Sequence, residues 1–290
     1  PAREGRAASP GPAATCRAII RPMTGSSPPV GYPEPALHES ISDIIRRHSS
    51  NRTDIRRAAF EGIDLSRAHR LLDLGCGFGF MVRALAGRVP PGATIIGVDS
   101  HPGNRPAFVA AAAAGGCRGS YLCRTLVSHL DFPARTFDLV IASYSLYFFP
   151  AVIPEVARVL QPGGAFVAIT HSESDFTVLL WAVGVPPERS ARRALTRSFS
   201  AENGAGLLER HFSRVEPRPY PNTLEFQAGD LAEFLALVRY KAPQLVPAGS
   251  EPPAPPEEIE ERARDMLRYM GKVVIEKDDA IFVCTGPRSP

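Results

Sequence analysis

Apolar positions along the chain change period several times, and each change marks an element. Leu37, Ile41, Ile44 and Ile45 recur at helical spacing up to about His48, and Thr53 to Gly62 predicts a second helix. Leu71 to Leu74 is an apolar run broken only by Asp73, which predicts a buried strand; Gly75, Gly77 and Gly79 follow. Met81, Val82, Leu85 and Ala86 then predict an amphipathic helix. Thr94–Ser100 and Ser120–Leu126 are short β-rich runs around an alanine-rich helix, and Phe137–Ala142 is a strand buried on both faces. Another helix and a Pro162-Gly163-Gly164 turn lead into a fifth strand ending at Thr170. Val178 to Val185 reads as a buried or cap helix, and Phe199–Phe212 as a helix capped by Ser200. Val215–Tyr220 predicts a sixth strand, and Ala280–Thr285 a seventh, entered through the Lys277-Asp278-Asp279 turn.

Strands alternating with helices predict an α/β fold built on a parallel sheet. Its first turn carries the chemistry. Alternate glycines remove the Cβ atoms that would bar a ligand from the strand-to-helix turn, and the next helix should offer free N–H groups there. A dinucleotide fingerprint, G-x-G-x-x-G, would need glycine at position 80, which is Phe80. Asp99 ends the second strand, 20 residues beyond Gly79, where a carboxylate can accept two hydrogen bonds from a ribose cis-diol. A glycine turn without a ligand, and an N-cap role for Asp99, are the bland alternatives.

The D-x-G-x-G-x-G pattern of Asp73 to Gly79 resembles the first motif of class I S-adenosylmethionine-dependent methyltransferases. Two further stretches, Leu130–Pro150 (LDFPARTFDLVIASYSLYFFP) and Ala157–Thr170 (ARVLQPGGAFVAIT), resemble the small-molecule members related to the ubiquinone and menaquinone biosynthesis enzymes. With Asp99 these landmarks stand in family order across residues 71–170. The resemblance implies a Rossmann-like, seven-stranded, mostly parallel sheet with helices on both faces and an antiparallel last strand. It implies a methyltransferase domain over 67–290, with N-terminal helices at 32–66 lying over the cofactor. S-adenosyl-L-methionine would then be held by Asp73, Gly75, Cys76, Gly77, Gly79, Asp99, Ser100, Ser128, His129 and Ser143. The chain departs from the family twice. Ser128 and His129 stand where an acid usually approaches the adenine, and Tyr144, Tyr147 and Phe148 replace histidines common after strand four. Asn51-Arg52 stands where a loop near the ligand would run, or is a plain surface loop.

Methyl transfer from a sulfonium needs the acceptor held in line and water excluded, with a base where the acceptor is acidic. The carboxyl edge of strands four and five should supply Tyr144, Tyr147 and His171. His171 is the candidate base, with Glu173 close in sequence; a structural histidine is the equal alternative. The expected reaction is transfer to O, N or C of a small molecule. A nucleic-acid or protein methyltransferase, and a non-catalytic cofactor-binding protein, are the other readings. About 60 residues separate strands six and seven, more than the short turn usual in the family. Leu231, Phe234, Leu235 and Val238 make one amphipathic helix there, and Ile259, Ala263, Met266, Leu267 and Met270 another; Pro243 to Pro256 joins them. This insertion, at about 222–271, is too small for a core of its own. It predicts a lid that turns Phe234 and Met266 toward the acceptor, or else a homodimer contact.

Composition changes this little. A net charge of +3 with 22% charged residues does not argue for nucleic acid, and no apolar run reaches the roughly 18–20 residues of a membrane span. Five cysteines without paired spacing indicate neither a disulfide framework nor a zinc site, so no metal is expected. Cys117 and Cys123 hint at metalloid methylation, but Cys123 falls in an apolar strand and is expected to be buried. A reducing cytoplasm is the expected home. Residues 1–31, rich in Pro, Ala, Gly and Ser, predict a disordered extension, with Met23 as a candidate natural start.

Overall fold

The computed structural model describes residues 35–246 and 254–288; the 1–31 extension and part of the proline-rich joint lie outside them. Helices α1 (Pro35–His48) and α2 (Ile55–Ala59) precede β1 (Arg70–Leu74). Then come β2 (Thr94–Asp99), α3 (Arg105–Ala114), β3 (Arg118–Cys123), β4 (Phe137–Ser143), α4 (Ile153–Val159) and β5 (Leu160–His171). Short helices α5 (Thr177–Val183), α6 (Ala191–Thr196) and α7 (Gly204–Leu208) lead to β6 (Phe212–Tyr220). The chain continues through β7 (Thr223–Gln227), α8 (Leu231–Leu245), α9 (Pro256–Met270), β8 (Lys272–Glu276) and β9 (Asp279–Pro287).

Seven strands form one sheet in the order β3-β2-β1-β4-β5-β9-β6. The first five are parallel, and β9 lies antiparallel between β5 and β6. This is the expected Rossmann-like architecture with its antiparallel last strand. Alternation along the central strands splits the interior in two. Leu71, Leu139, Ile141, Val167 and Ile169 face the side covered by α2 and α3. Leu72, Val140, Ala142, Phe166 and Ala168 face the side covered by α4 and α7. Because successive side chains point to opposite faces, two apolar layers require the unbroken hydrophobic runs read in the sequence.

Three expectations are corrected. No α-helix follows the glycine turn. Only a 3₁₀ turn, Val82–Leu85, forms, joined by i→i+3 bonds from Gly79 to Cys76, Val82 to Gly79 and Ala84 to Met81. Positive φ at Gly75, Gly77 and Gly79, and again at Gly87, holds the segment too tightly coiled for i→i+4 bonds to propagate. The helix expected over 199–212 contracts to α7, because Ser200 and Asn203 exchange side-chain bonds with each other's backbone N–H in the preceding turn.

The insertion also differs from expectation. Its ends pair as an antiparallel ribbon, β7 with β8, which closes the two helices into a β-α-α-β unit. That unit has a hydrophobic core after all, because α1 and α5 complete it with Ile41, Ile44, Leu179 and Leu180. Phe234 is fully buried in this core, 5.3 Å from the Phe226 ring, and Met266 packs at its margin; neither faces the acceptor side. A stripe on each of four elements is buried mutually, so no fresh face is left for Phe234 to present. Phe234→Ala is expected to cost about 3–5 kcal/mol of unfolding free energy. Equilibrium denaturation would measure it, with affinity for S-adenosylhomocysteine unchanged in the folded variant.

Candidate active site

A cavity of about 690 Å³ opens at the carboxyl edge of β1, β2, β4 and β5. Strand ends bring Asp73, Asp99, Ser143 and His171 to its wall, the glycine turn brings Gly75, Cys76 and Gly77, and α1 and α8 close it with His38, Ser42 and Lys241. Ser100, and Asn51 and Arg52 of the loop after α1, also line it.

The glycines divide their labour. A Cβ on Gly75 would meet Ser145 Cβ at 2.4 Å, and one on Gly79 would meet Ala111 Cβ at 2.7 Å, so both are demanded by packing. Gly77, at φ +49°, has nothing within 4 Å of its missing Cβ, so a side chain there would enter the cavity. The N–H groups of Gly75, Cys76 and Gly77 are already used. Gly75 and Cys76 donate to Val98 O, and Gly77 donates to Asp99 Oδ2 at 3.0 Å. Asp99 Oδ1 accepts from the His101 N–H at 2.9 Å. Asp99 thus ties the turn to β2 and still borders the cavity. Gly77→Val, β-branched at positive φ, is expected to fold but to lose cofactor binding, read by titration with S-adenosylhomocysteine. Unchanged affinity would put the ligand elsewhere.

Asp73 is buried at the cavity floor with no ion-pair partner among the described residues. Burial, with the neighbouring Asp99 charge, pushes its carboxyl up to about 8. Asp73, buried, and Asp99, half-buried, border the cavity with no Lys or Arg paired to either among the described residues, which fits a ligand that carries positive charge, as the ammonium and sulfonium of S-adenosylmethionine do. The cofactor's chemistry therefore suits the residues present.

Ser128 and His129 do not reach this cavity. Both are exposed, and His129 Nδ1 lies 2.8 Å from Glu155 on α4, held away from the ligand space. After Arg124 N–H bonds to Asp99 O, the chain leaves the sheet edge, and Arg124, Thr125 and Leu126 supply the wall instead. Cys123 is exposed rather than buried, because β3 is an edge strand and Cys123 is its last residue; neither it nor Cys117 lines the cavity. Among the described residues no group of His, Cys, Asp or Glu could hold a metal, and no helix is long and apolar enough to cross a membrane.

At the end of β5 the cavity wall is a buried polar cluster, larger than the sequence suggested. His171 Nδ1 lies 2.8 Å from Asp279 Oδ1, and its ring stacks on Tyr144 with centroids 4.5 Å apart. The Tyr144 hydroxyl donates to Asp279 Oδ2 at 2.8 Å, from a backbone at φ +53°, rare for an aromatic residue and typical of functional sites. Lys277 Nζ also donates to Asp279 Oδ1, at 2.7 Å. Asp175 pairs with Arg192 at 2.7 Å. Burial holds His171 well below its ordinary value, so the ring is neutral at pH 7, while burial and Asp279 push the Tyr144 phenol up, so it stays a donor. Tyr147 lines the cavity too, its ring 6.0 Å from His171. Glu173 is not the partner expected for His171; it bonds Arg197 near the surface. Asp279 fills that role from the far end of the chain. The Lys277-Asp278-Asp279 turn was the only sequence signal of it.

A family model for a methyltransferase domain matches residues 71–164. The nocamycin O-methyltransferase of Saccharothrix syringae is 36% identical over 135 residues, 45% of this chain and 47% of the relative. The aklanonic acid methyltransferase of Streptomyces sp. strain C5 is 33% identical over 134 residues, 43% of this chain and 58% of the relative. The chain thus spans about half the length of these curated relatives. Among solved structures, the YcgJ protein of Bacillus subtilis superposes with TM-score 0.50 at 17% identity, covering 87% of this chain and all of that one. The [4+2]-cyclase SpnF superposes with TM-score 0.50 at 16% identity, covering 86% of this chain and 94% of that one, so the shared fold leaves the chemistry to the site. Residues 71–164, with their glycine turn, strand-end acids and sheet order, are a class I S-adenosylmethionine-dependent methyltransferase domain.

Proposed function

We propose that this chain methylates an oxygen of a small-molecule acceptor. The observation that carries the reading is His171, held through Nδ1 by Asp279 on the wall of the cavity that Asp73 and Asp99 also line. S-adenosylmethionine, when bound, supplies a methyl group already activated on a sulfonium. Asp73 faces its positive charge, Asp99 its ribose, and Gly77 leaves it room. With Nδ1–H donated to Asp279, Nε2 of the neutral ring keeps its lone pair and takes the proton of a hydroxyl acceptor. Tyr144 and Lys277 hold the Asp279 carboxylate, which fixes the tautomer. The unit built from α1, α5 and the insertion acts as a lid, excluding water from that end.

Oxygen is favoured because two relatives are named for O-methylation and for methylation of an acid. A small molecule is favoured over nucleic acid because rim arginines Arg46, Arg56 and Arg83 are each paired with an acid, leaving them poor phosphate ligands. Incubation with methyl-labelled S-adenosylmethionine and a panel of hydroxylated aromatic acids, read as S-adenosylhomocysteine release, tests the reading. Turnover with at least one acid is expected. Failure to bind S-adenosylhomocysteine would overturn it.

A further inference from the structure

Charges at the acceptor end pair off with one left over. Arg192 answers Asp175 and Lys277 answers Asp279, each at 2.7 Å, while His171 and Tyr144 are neutral. Lys241 of α8 is the remaining cation. It is 6% exposed, lines the cavity, and has no hydrogen-bond acceptor among the described residues. Its ammonium instead rests on aromatic faces, 4.7 Å from the Phe176 centroid and 5.4 Å from that of Tyr240. Such contacts stabilise a cation by only about 0.5–2 kcal/mol, well short of the several kcal/mol that burying an ion costs. The position is therefore incomplete until an anion arrives.

We infer that Lys241 anchors an anionic group, a carboxylate, on the acceptor, so that the insertion selects organic acids. This rests on the proposed methyl transfer only for calling the bound acid an acceptor. Lys241 is buried on α8, within the insertion, and its ammonium lies over Phe176 and Tyr240, two residues of the core that α1 and α5 share with the insertion. Burial, with the Arg192 and Lys277 charges nearby, drives Lys241 well below its ordinary value although the Asp175 and Asp279 carboxylates oppose the shift, and an entering carboxylate supplies the hydrogen-bond acceptor it lacks. Lys241 also lies close enough to His171 to disfavour its protonation, which places anchor and base at one end of the cavity.

Benzoate and benzamide test the anchor, since they match in shape and differ in charge and are small enough for any acceptor pocket. Calorimetric titration is made into the full chain saturated with S-adenosylhomocysteine. Benzoate is expected to bind about tenfold or more tighter than benzamide, equivalent to roughly 1.4 kcal/mol. Lys241→Met should erase that preference and Lys241→Arg should keep much of it, both with unchanged affinity for S-adenosylhomocysteine. Equal or absent binding of the two probes to the wild type, with S-adenosylhomocysteine bound, overturns the anchor and leaves methyl transfer standing. A Lys241→Met protein that keeps the preference overturns it as well. Loss of S-adenosylhomocysteine binding in the wild type instead sinks the methyltransferase reading.

Discussion

Asp73→Asn is expected to lower affinity for S-adenosylhomocysteine by about 100-fold or more, because it removes the buried charge proposed to face the ligand's ammonium. The same change should stabilise the ligand-free protein. Asp73 titrates at about 8 in the fold against 3.8 when unfolded, so the unfolded chain ionises first as pH rises. The native state then holds more protons, and this group's contribution falls steadily between those two values. At neutral pH the deficit is roughly 4 kcal/mol, which Asn avoids while keeping the shape and the hydrogen-bonding groups. Affinity in the wild type should rise with pH up to about 8, since the ligand drives Asp73 to ionise, and then fall as its own α-amino group deprotonates. Titration calorimetry at pH 6.5 in two buffers of different ionisation enthalpy should show close to one proton released, about zero in Asp73→Asn. Binding without proton release in the wild type would mean that Asp73 is already ionised and that its burial is compensated elsewhere.

The parts legible in the sequence were those governed by local rules. Unbroken apolar runs gave the central strands, and Asp73, the glycines and Asp99 marked the carboxyl edge, because strand ends and turn chemistry are written in adjacent residues. The misses share a cause. The segment after Gly79 has a helical apolar pattern, yet alternate glycines at positive φ and short-range bonds tighten it into a 3₁₀ turn. Ser128 and His129 were expected at the cofactor from the family resemblance alone, but Glu155 on a different element decides where His129 points. The insertion's core was invisible because about a third of it comes from α1 and the α5 segment, outside the insertion. Lys241 and Asp279 lie in segments without motifs, and only the fold brings them beside His171. Periodicity shows which face of a helix is apolar, but not which partner covers it.

His171→Asn is expected to slow methyl transfer by about 10²–10⁴-fold, the range for a lost general base, while S-adenosylhomocysteine binds as before. Asp279→Asn should cost nearly as much. An amide offers its oxygen or its N–H to Nδ1 with no charge preference, so the tautomer that leaves Nε2 free is no longer fixed. The two residues act as one unit, so the double variant should be little slower than either single variant. That non-additivity separates positioning from mere loss of structure, which would accumulate. The pH profile separates them again. His171 is held well below 6.5 by burial, so the base stays competent and the single-turnover rate should show no inflection near 6.5. Stability should behave differently: the unfolded histidine takes up a proton below 6.5 and the folded one does not, so the native state weakens as pH falls through that value. An inflection near 6.5 in the rate, or additive losses in the double variant, would move the base elsewhere and leave His171 as a packed partner of Tyr144.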